Sequence, residues 1–586
     1  MKFAIYGVSR SGKDYFIEKL KKYFEENGIS LKHIRGSKTL YDMALEKFES
    51  KFNQLEDKQK AYLRNEFTKR VEEEEKKHGY VVVDGHHSFY DVNNELQSVF
   101  SKDDIKCYDK FFYLDTDTAN IMEYMRSSVG EKRNEAITEP MVDAWKDYEI
   151  NDMTKRLLKK NKELHIIKGD DFALEYIFDE VTKGKYDSEK IAKELLNNAH
   201  IPNNVTAVIL TDCDKTLSIE DTTSMALSYL GEDEATIKNI FNGDRYTGYQ
   251  LKVADNYYKS INLYNESVIE HICENVHLNQ AIIDDLKAKR DTVILAITAS
   301  NTQVWKRILE KGGLNAAVLE GDGVISKYVK YYVAKILMER GKFVVSIGDS
   351  MLDSLMLTNS NMGYIATQKG YRKNIDELAT NNPTLRQLGY FEYKYPQIEV
   401  DNSILSIRTV KVTEEIEKNI EICKSTSGIR GKSLRSAHNA LGKRVAEAIR
   451  KDYPKERFVI VIMLRSGVPF GLGMADLLDC PVLFYDENNI EGFKKQLAEN
   501  EGLLSGKIIL CDAVINTGKS IKKAIQVLKH SSVIIATNVL SSKYDTNSLI
   551  PIYATRISEN SYEGAKQSNI ENGKGPDTSD RLFRLI

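Results

Sequence analysis

Three times in this chain a short apolar run ends in a turn carrying Gly, Asp or Ser/Thr and gives way to an amphipathic stretch. The runs are KFAIY (2–6), VTAVIL (205–210) and KIIL (507–510), with companions YVVV (80–83), TVILAI (292–297) and FVIVIML (458–464). Apolar runs of this length between helix-period segments predict strands buried on both faces, hence parallel sheets covered by helices. At 586 residues the chain is too long for one core. The pattern therefore predicts an α/β chain of three doubly wound, mainly parallel domains in tandem. Ligands of such sheets sit beyond the carboxyl ends of the strands, where the three turns fall. A polar, helix-prone connector at 172–203 and an irregular stretch at 381–403 with two prolines divide the chain into 1–171, 204–380 and 404–586. Neither solenoid repeats nor low-complexity tracts are present.

The overall charge of −3 argues against non-specific nucleic-acid binding as the main activity. Six cysteines without a C-x-x-C pair suit a reducing, cytoplasmic setting better than a disulfide framework. No run of about 18 apolar residues suggests a membrane span, and the N-terminus reaches a glycine-rich loop at once.

In the first domain, Gly7-Val8-Ser9-Arg10-Ser11-Gly12-Lys13-Asp14 follows a strand and opens a helix. In that context G-x-x-x-x-G-K is a phosphate cradle. Backbone N–H groups and the helix N-terminus hold nucleotide phosphates, and Lys13 neutralises their β/γ oxygens. The Ser/Thr that usually follows the lysine as a magnesium ligand is Asp14, which can meet the ion directly or through water. Asp84, at the strand end in VVVDGHH, would hold magnesium through water. FFYLDTD (111–117) precedes a lid-like region with Arg126, Lys132 and Arg133. Over residues 1–170 the chain resembles the nucleoside- and nucleotide-kinase branch of P-loop proteins, archaeal-type adenylate kinases in particular. That resemblance implies ATP as cofactor and Arg126 and Arg133 as lid cations for the transferring phosphoryl group.

In the second domain VILTDCDKTLS (208–218) ends a strand in Asp212, Asp214 and Thr216. Two carboxylates so spaced can share a phosphoryl group and a magnesium ion. One attacks phosphorus, while the other protonates the leaving oxygen and later activates water. Thr298 ends a second strand and suits a phosphate hydrogen bond. Asp349 and Asp353 form a further carboxylate pair, and Lys330, with Lys327 as its rival, could neutralise the phosphoaspartate. In order over 205–370 these motifs resemble the haloacid dehalogenase superfamily. The resemblance implies a magnesium-dependent phosphatase, with Asp212, Asp214, Asp349 and Asp353 around the metal. Residues 218–290 look like the helical cap of phosphoserine-phosphatase-type members. Asp221 stands where those members place a substrate-reading glutamate, and its shorter side chain argues against phosphoserine as substrate.

In the third domain KIILCDAVINTGKSIKKAI (507–525) again runs strand, acidic turn, Thr-Gly, helix. It resembles the phosphate- and ribose-binding loop of type I phosphoribosyltransferases. With IMLRSGVPFG (462–471), SLRSAHNALGKRVAEAI (433–449) and GPDTSDRLF (575–583), the match to uracil phosphoribosyltransferases spans 405–586. It implies phosphoribosyl pyrophosphate as substrate, with Arg465 facing the pyrophosphate and Asp512 holding the ribose hydroxyls. Asn516, Thr517, Gly518, Lys519 and Ser520 would wrap the 5-phosphate, and copies could associate through this domain. Ala513 replaces the second acid of the ribose loop, and 575–580 depart from the glycine-rich base-reading segment. Uracil is therefore not the expected acceptor.

Together these features point to a multifunctional enzyme of nucleotide or nucleoside-like metabolites acting on small phosphorylated molecules. Two alternatives stand beside it. One is a nucleic-acid end-processing kinase–phosphatase, and the other a nucleotide-sensing regulator in which only the phosphatase is active.

Overall fold

A computed structural model describes residues 1–585 apart from 92, 128–136, 203–204, 206, 242–244, 290–291, 369, 392, 406, 455, 529–532, 543, 545–549 and 559–576. The chain packs as two compact units. The first is Met1–Glu194 with Asp233–Leu263 and Gly321–Val329, and the second is Leu195–Glu232, Tyr264–Glu320 and Lys330–Ile586. Among the described residues no helix is long and apolar enough to cross a membrane.

The first unit holds a five-stranded parallel sheet. Its strands are β1 (Lys2–Tyr6), β2 (Leu31–Arg35), β3 (Tyr80–Asp84), β6 (Lys110–Leu114) and β7 (Leu164–Ile167), ordered β2-β3-β1-β6-β7. A short antiparallel ribbon, β4 (Ser88–Tyr90) with β5 (Leu96–Ser98), stands apart from it. The apolar runs are buried as the sequence pattern requires, with Phe3, Ala4, Ile5, Val81, Val82, Phe111 and Phe112 fully out of solvent. The helix Asp171–Lys183 lies in the segment read as a connector, yet it packs Leu174, Tyr176 and Ile177 into the same core. Its apolar residues recur at helical spacing, and the buried Asp179 and Glu180 are met by lysines.

The second unit holds two parallel sheets. The first comprises β8 (Ala207–Thr211), β9 (Thr292–Ala296), β10 (Ala316–Val318), β11 (Phe343–Gly348), β12 (Met362–Ile365), β13 (Arg386–Leu388) and β14 (Glu399–Asp401). Their order is β10-β9-β8-β11-β12-β13-β14. The last two strands lie in the stretch read as irregular. They are three residues long each, too short to show a period, and parallel pairing of β13 on β12 and of β14 on β13 defines them. The other sheet comprises β15 (Arg408–Thr409), β16 (Phe458–Met463), β17 (Val482–Tyr485), β18 (Lys507–Ile515), β19 (Val533–Ser541) and β20 (Ile552–Ser558). Their order is β15-β20-β19-β18-β16-β17. Buried arginines join elements of this unit. Arg386 meets Asp452 at 2.6 Å and Asp401 at 3.1 Å, and Arg408 meets the same two carboxylates at 3.0 and 2.8 Å. Removing one arginine would leave two buried carboxylates sharing a single countercharge.

Each sheet has a point where the connection reverses direction: between β1 and its neighbours, between β8 and β11, and between β16 and β18. Crevices open at the carboxyl ends of such strands. The three turns singled out by sequence lie there.

Residues 233–263 fall within the span expected to form a cap, but they pack within the first unit. Tyr249 lies in that unit's core, and its hydroxyl donates to Asp170 at 2.5 Å. Arg245 pairs with Asp115 at 3.0 Å and Asp147 at 2.8 Å. The helices Thr222–Leu230 and Glu266–Asn275 belong to the second unit.

Candidate active sites

The P-loop turns between β1 and the helix Lys13–Glu26. Gly12 sits at φ 83°, the left-handed region that a Cβ disfavours, and this lets the helix start directly beneath the loop. Lys13 is 6% exposed and curls back over the loop, donating to the carbonyl oxygens of Gly7 at 2.6 Å and Val8 at 2.9 Å. Its Nζ lies 3.4 Å from Ser11 Oγ. Burial holds the ammonium down at about 8, against the upward pull of Glu149, Asp84 and Asp14. Asp14 is exposed on the first helical turn, and Asp84 at the end of β3 accepts from Gly36 N at 2.6 Å. Arg126 is exposed in the last turn of the helix Thr118–Ser127, while Lys132 and Arg133 lie outside the described residues.

At the ends of β8 and β11, Asp212, Asp349 and Asp353 place carboxylate oxygens within 4.8 Å of one another, all buried. Gly348 makes this possible, because a Cβ there would meet Asp353 Cβ at 2.5 Å. The fully buried Lys330 donates to Asp212 Oδ1 at 2.6 Å and to Asp353 Oδ1 at 2.7 Å. Burial opposes its charge, but the two carboxylates hold it above the ordinary lysine range. Lys327 is instead faced by Glu163 and Arg245 within the first unit, so Lys330 is the lysine of this group. Asp349 is pushed up to about 7 by burial and then by Asp353, with Arg372 pulling the other way from 3.3 Å. Thr298 is 2% exposed just past β9, and its hydroxyl accepts from Ser300 N at 3.0 Å.

The side chain of Asp214 is not among these clustered ligands, which corrects its place in the metal shell. One oxygen accepts from Thr222 N at 2.6 Å and the other from Trp305 Nε1 at 3.2 Å. Burial, followed by repulsion from Asp221, pushes its carboxyl up to about 6 against those bonds. Asp221 caps the helix Thr222–Leu230 and pairs with Lys215 at 2.6 Å.

In the third sheet the loops after β16 and β18 emerge side by side. Asp512 accepts from Ser466 Oγ at 2.5 Å and from Ala513 N at 2.7 Å. Desolvation, then the Asp577 carboxylate, raises it to about 6. Asn516 is half-buried, Thr517 and Lys519 are exposed, and Gly518 is buried, all at the start of the helix Lys519–Leu528. The Ser520 hydroxyl donates to Glu487 at 2.7 Å. Arg465 is exposed, 3.5 Å from Asp580. Gly575 and Pro576 of the base-reading segment lie outside the described residues.

Trp305, Arg372, Ser466 and Glu149 escaped the sequence reading. Their residue types are common in ordinary cores, and only tertiary packing brings them to the sites.

Residues 6–140 match the family model of the AAA domain, and residues 434–583 match that of uracil phosphoribosyltransferase. No curated protein sequence matches the chain. Among solved structures, phosphoserine phosphatase in its apo form aligns at 20% identity over 27% of this chain and 86% of its own, with a TM-score of 0.21. A phospho-aspartyl intermediate analogue of phosphoserine phosphatase aligns at 21% identity over 27% and 86%, with a TM-score of 0.22. Purine phosphoribosyltransferase from Pyrococcus horikoshii aligns at 18% identity over 21% and 85%, with a TM-score of 0.16. At such scores these likenesses carry no argument on their own, and the middle domain stands on its side-chain geometry. The chain thus carries an AAA-type P-loop domain and a uracil-phosphoribosyltransferase-like domain, with a further parallel sheet between them in sequence.

Proposed function

We propose that the middle domain hydrolyses phosphomonoesters through a phosphoaspartate on Asp212, with magnesium, in a cytosolic enzyme whose outer domains handle ATP and phosphoribosyl pyrophosphate. The observation that carries this reading is Lys330, shared between Asp212 at 2.6 Å and Asp353 at 2.7 Å, with Asp349 in the same buried group. Three buried carboxylates against the Lys330 ammonium and the Arg372 guanidinium still leave negative charge that a dication fits, and Asp349 is pushed up by burial and by Asp353. Asp212, Asp349 and Asp353 would hold Mg²⁺. When bound, it supplies charge neutralisation for the phosphoryl oxygens.

Asp212 attacks phosphorus, forming the aspartyl phosphate as the ester oxygen leaves. Asp214, raised towards neutrality, gives that oxygen its proton and then takes one from the water that cleaves the intermediate. Lys330 and the Thr298 hydroxyl hold phosphoryl oxygens. Asp212→Asn, isosteric but not nucleophilic, should abolish phosphate release with folding intact. Asp214→Asn should slow it by about 10². Normal turnover by Asp212→Asn would overturn the assignment. A screen of nucleotides, sugar phosphates and 5′-phosphorylated oligonucleotides separates small-molecule turnover from end processing.

In the first domain Lys13 and the loop amides bind ATP phosphates. In the third, Asp512 takes the ribose hydroxyls and 516–520 the 5-phosphate, with an acceptor other than uracil. Asp512→Ala should weaken phosphoribosyl pyrophosphate binding by about 1.5–3 kcal/mol, measured by calorimetry on the full chain. Efficient uridine monophosphate formation would refute the altered acceptor.

A further inference from the structure

The first domain gathers a second group of metal-ligating side chains, and one member has no place in the P-loop motif. Asp14, His33 and Asp84 each bring one ligand atom within 4.8 Å of the others. Asp14 comes from the first turn of the helix Lys13–Glu26, His33 from the middle of β2, and Asp84 from the end of β3. The two strands are paired in register, Arg35 opposite Asp84. This places His33 one same-face step from the carboxylate, because alternate strand residues share a face.

The histidine is the telling group. Its side chain is 7% exposed, and Nε2 is buried without a hydrogen-bond partner. A buried polar atom left unpaired is costly and is retained where a ligand completes it. Nε2 lies 3.9 Å from Asp84 Oδ1, too far for a hydrogen bond. One ion between the two atoms would close that gap. The other nitrogen, Nδ1, lies 3.5 Å from Glu18 Oε1, one helical turn beyond Asp14. A carboxylate facing one imidazole nitrogen fixes the tautomer and leaves the opposite lone pair for a metal. Gly36 N fixes Asp84 from the far side at 2.6 Å.

We propose that Asp14, His33 and Asp84 form a divalent transition-metal site in the first domain, with His33 Nε2 as its nitrogen ligand and Glu18 as the group that orients it. Two carboxylates and a neutral imidazole balance a dication. The mixed nitrogen–oxygen set favours Mn²⁺, Fe²⁺, Co²⁺ or Zn²⁺ over Mg²⁺, which takes oxygen ligands. The inference extends the reading of Asp14 and Asp84 as ion-holding residues, but it does not need ATP. Asp14 supplies in the protein a negative charge that a P-loop hydroxyl lacks, so the ion should bind the nucleotide-free chain.

Pulsed electron paramagnetic resonance of bound Mn²⁺ tests this, because the phosphatase group offers only carboxylate ligands and gives no coupling from a directly coordinated ¹⁴N. The nucleotide-free full chain carrying Asp349→Asn, which weakens the phosphatase group, should show ¹⁴N coupling from one imidazole. Adding His33→Gln should remove the coupling and raise the Mn²⁺ Kd at least about tenfold. Since His33 lies inside β2, Glu18→Gln on the exposed helix face is the second variant, with a rise of about tenfold expected. No ¹⁴N coupling with Asp349→Asn alone, or coupling and affinity unchanged by both further variants, overturns the site. A chain that fails to bind ATP yet keeps the nitrogen signal would sink the nucleotide reading and leave the metal site standing.

Discussion

Two buried lysines stand at the candidate phosphate sites of this chain, and their surroundings are opposite. Lys330 is enclosed by two carboxylates that keep it charged, at 2.6 and 2.7 Å. Lys13 is satisfied by neutral dipoles of its own loop, two carbonyls and the Ser11 hydroxyl, and burial draws it down to about 8. The Asp212 group carries its countercharges within the fold, so Lys330 belongs to an electrostatic unit that, on the proposed reading, a phosphoryl group and a cation would join. The P-loop instead holds an ammonium short of negative charge, and an arriving polyphosphate supplies it. The first arrangement suits transfer onto the protein itself, and the second suits capture of a diffusible anion.

Removing each lysine is the sharpest way to break that contrast. In chelator, Lys330→Met should cost about 3–5 kcal/mol in urea-unfolding stability, because Asp212 and Asp353 are left facing each other without a cation. A loss below about 1 kcal/mol would show that the carboxylates do not depend on it. Lys13→Met should change stability by no more than about 1 kcal/mol, since the partners it deserts are neutral dipoles of its own loop. It should nevertheless remove ATP binding in calorimetry.

The smallest effect is a proton. Between about 8 and the unfolded value near 10.4, the unfolded chain keeps a proton on Lys13 that the folded chain has released. This lysine's contribution to stability therefore rises with pH across that window. ATP should restore the charge, so binding near pH 9 should take up approximately one proton per nucleotide, and binding at pH 7 almost none. Calorimetry in buffers of different ionisation enthalpy reads this directly. Equal uptake at both pH values would remove the contrast between the two lysines.

The parallel α/β class, the three strand-end turns and the acid residues Asp212, Asp349 and Asp353 were legible in sequence, because buried parallel strands need continuous apolar runs and their turns carry the chemistry. Lys330 and Lys327 both fitted the spacing, and only the packing of the helix Lys327–Glu339 separated them. Asp214 read as a metal ligand because sequence gives spacing along a strand end but not side-chain direction. Thr222 N and Trp305 turn it away. The strands β13 and β14 were invisible because three residues show no period, and the pairing that defines them is non-local. The helix Asp171–Lys183 was misread as a connector because it runs on into a polar stretch without a break in the sequence, and its buried face is known only from the core it meets.

By itself, then, the sequence determined what is local. The Gly7–Lys13 loop needs a left-handed Gly12, the D-x-D pair must follow β8, and a Thr-Gly turn must precede the helix after β18. Backbone conformation and the alternation of apolar residues are encoded within a few neighbouring positions. Only the tertiary structure decided which distant charges share a site: Lys330 with Asp212 and Asp353, Ser466 with Asp512, His33 with Asp14 and Asp84. These pairs join residues from 19 to 118 positions apart. Their meeting depends on strand order and helix packing, which no short stretch of sequence specifies.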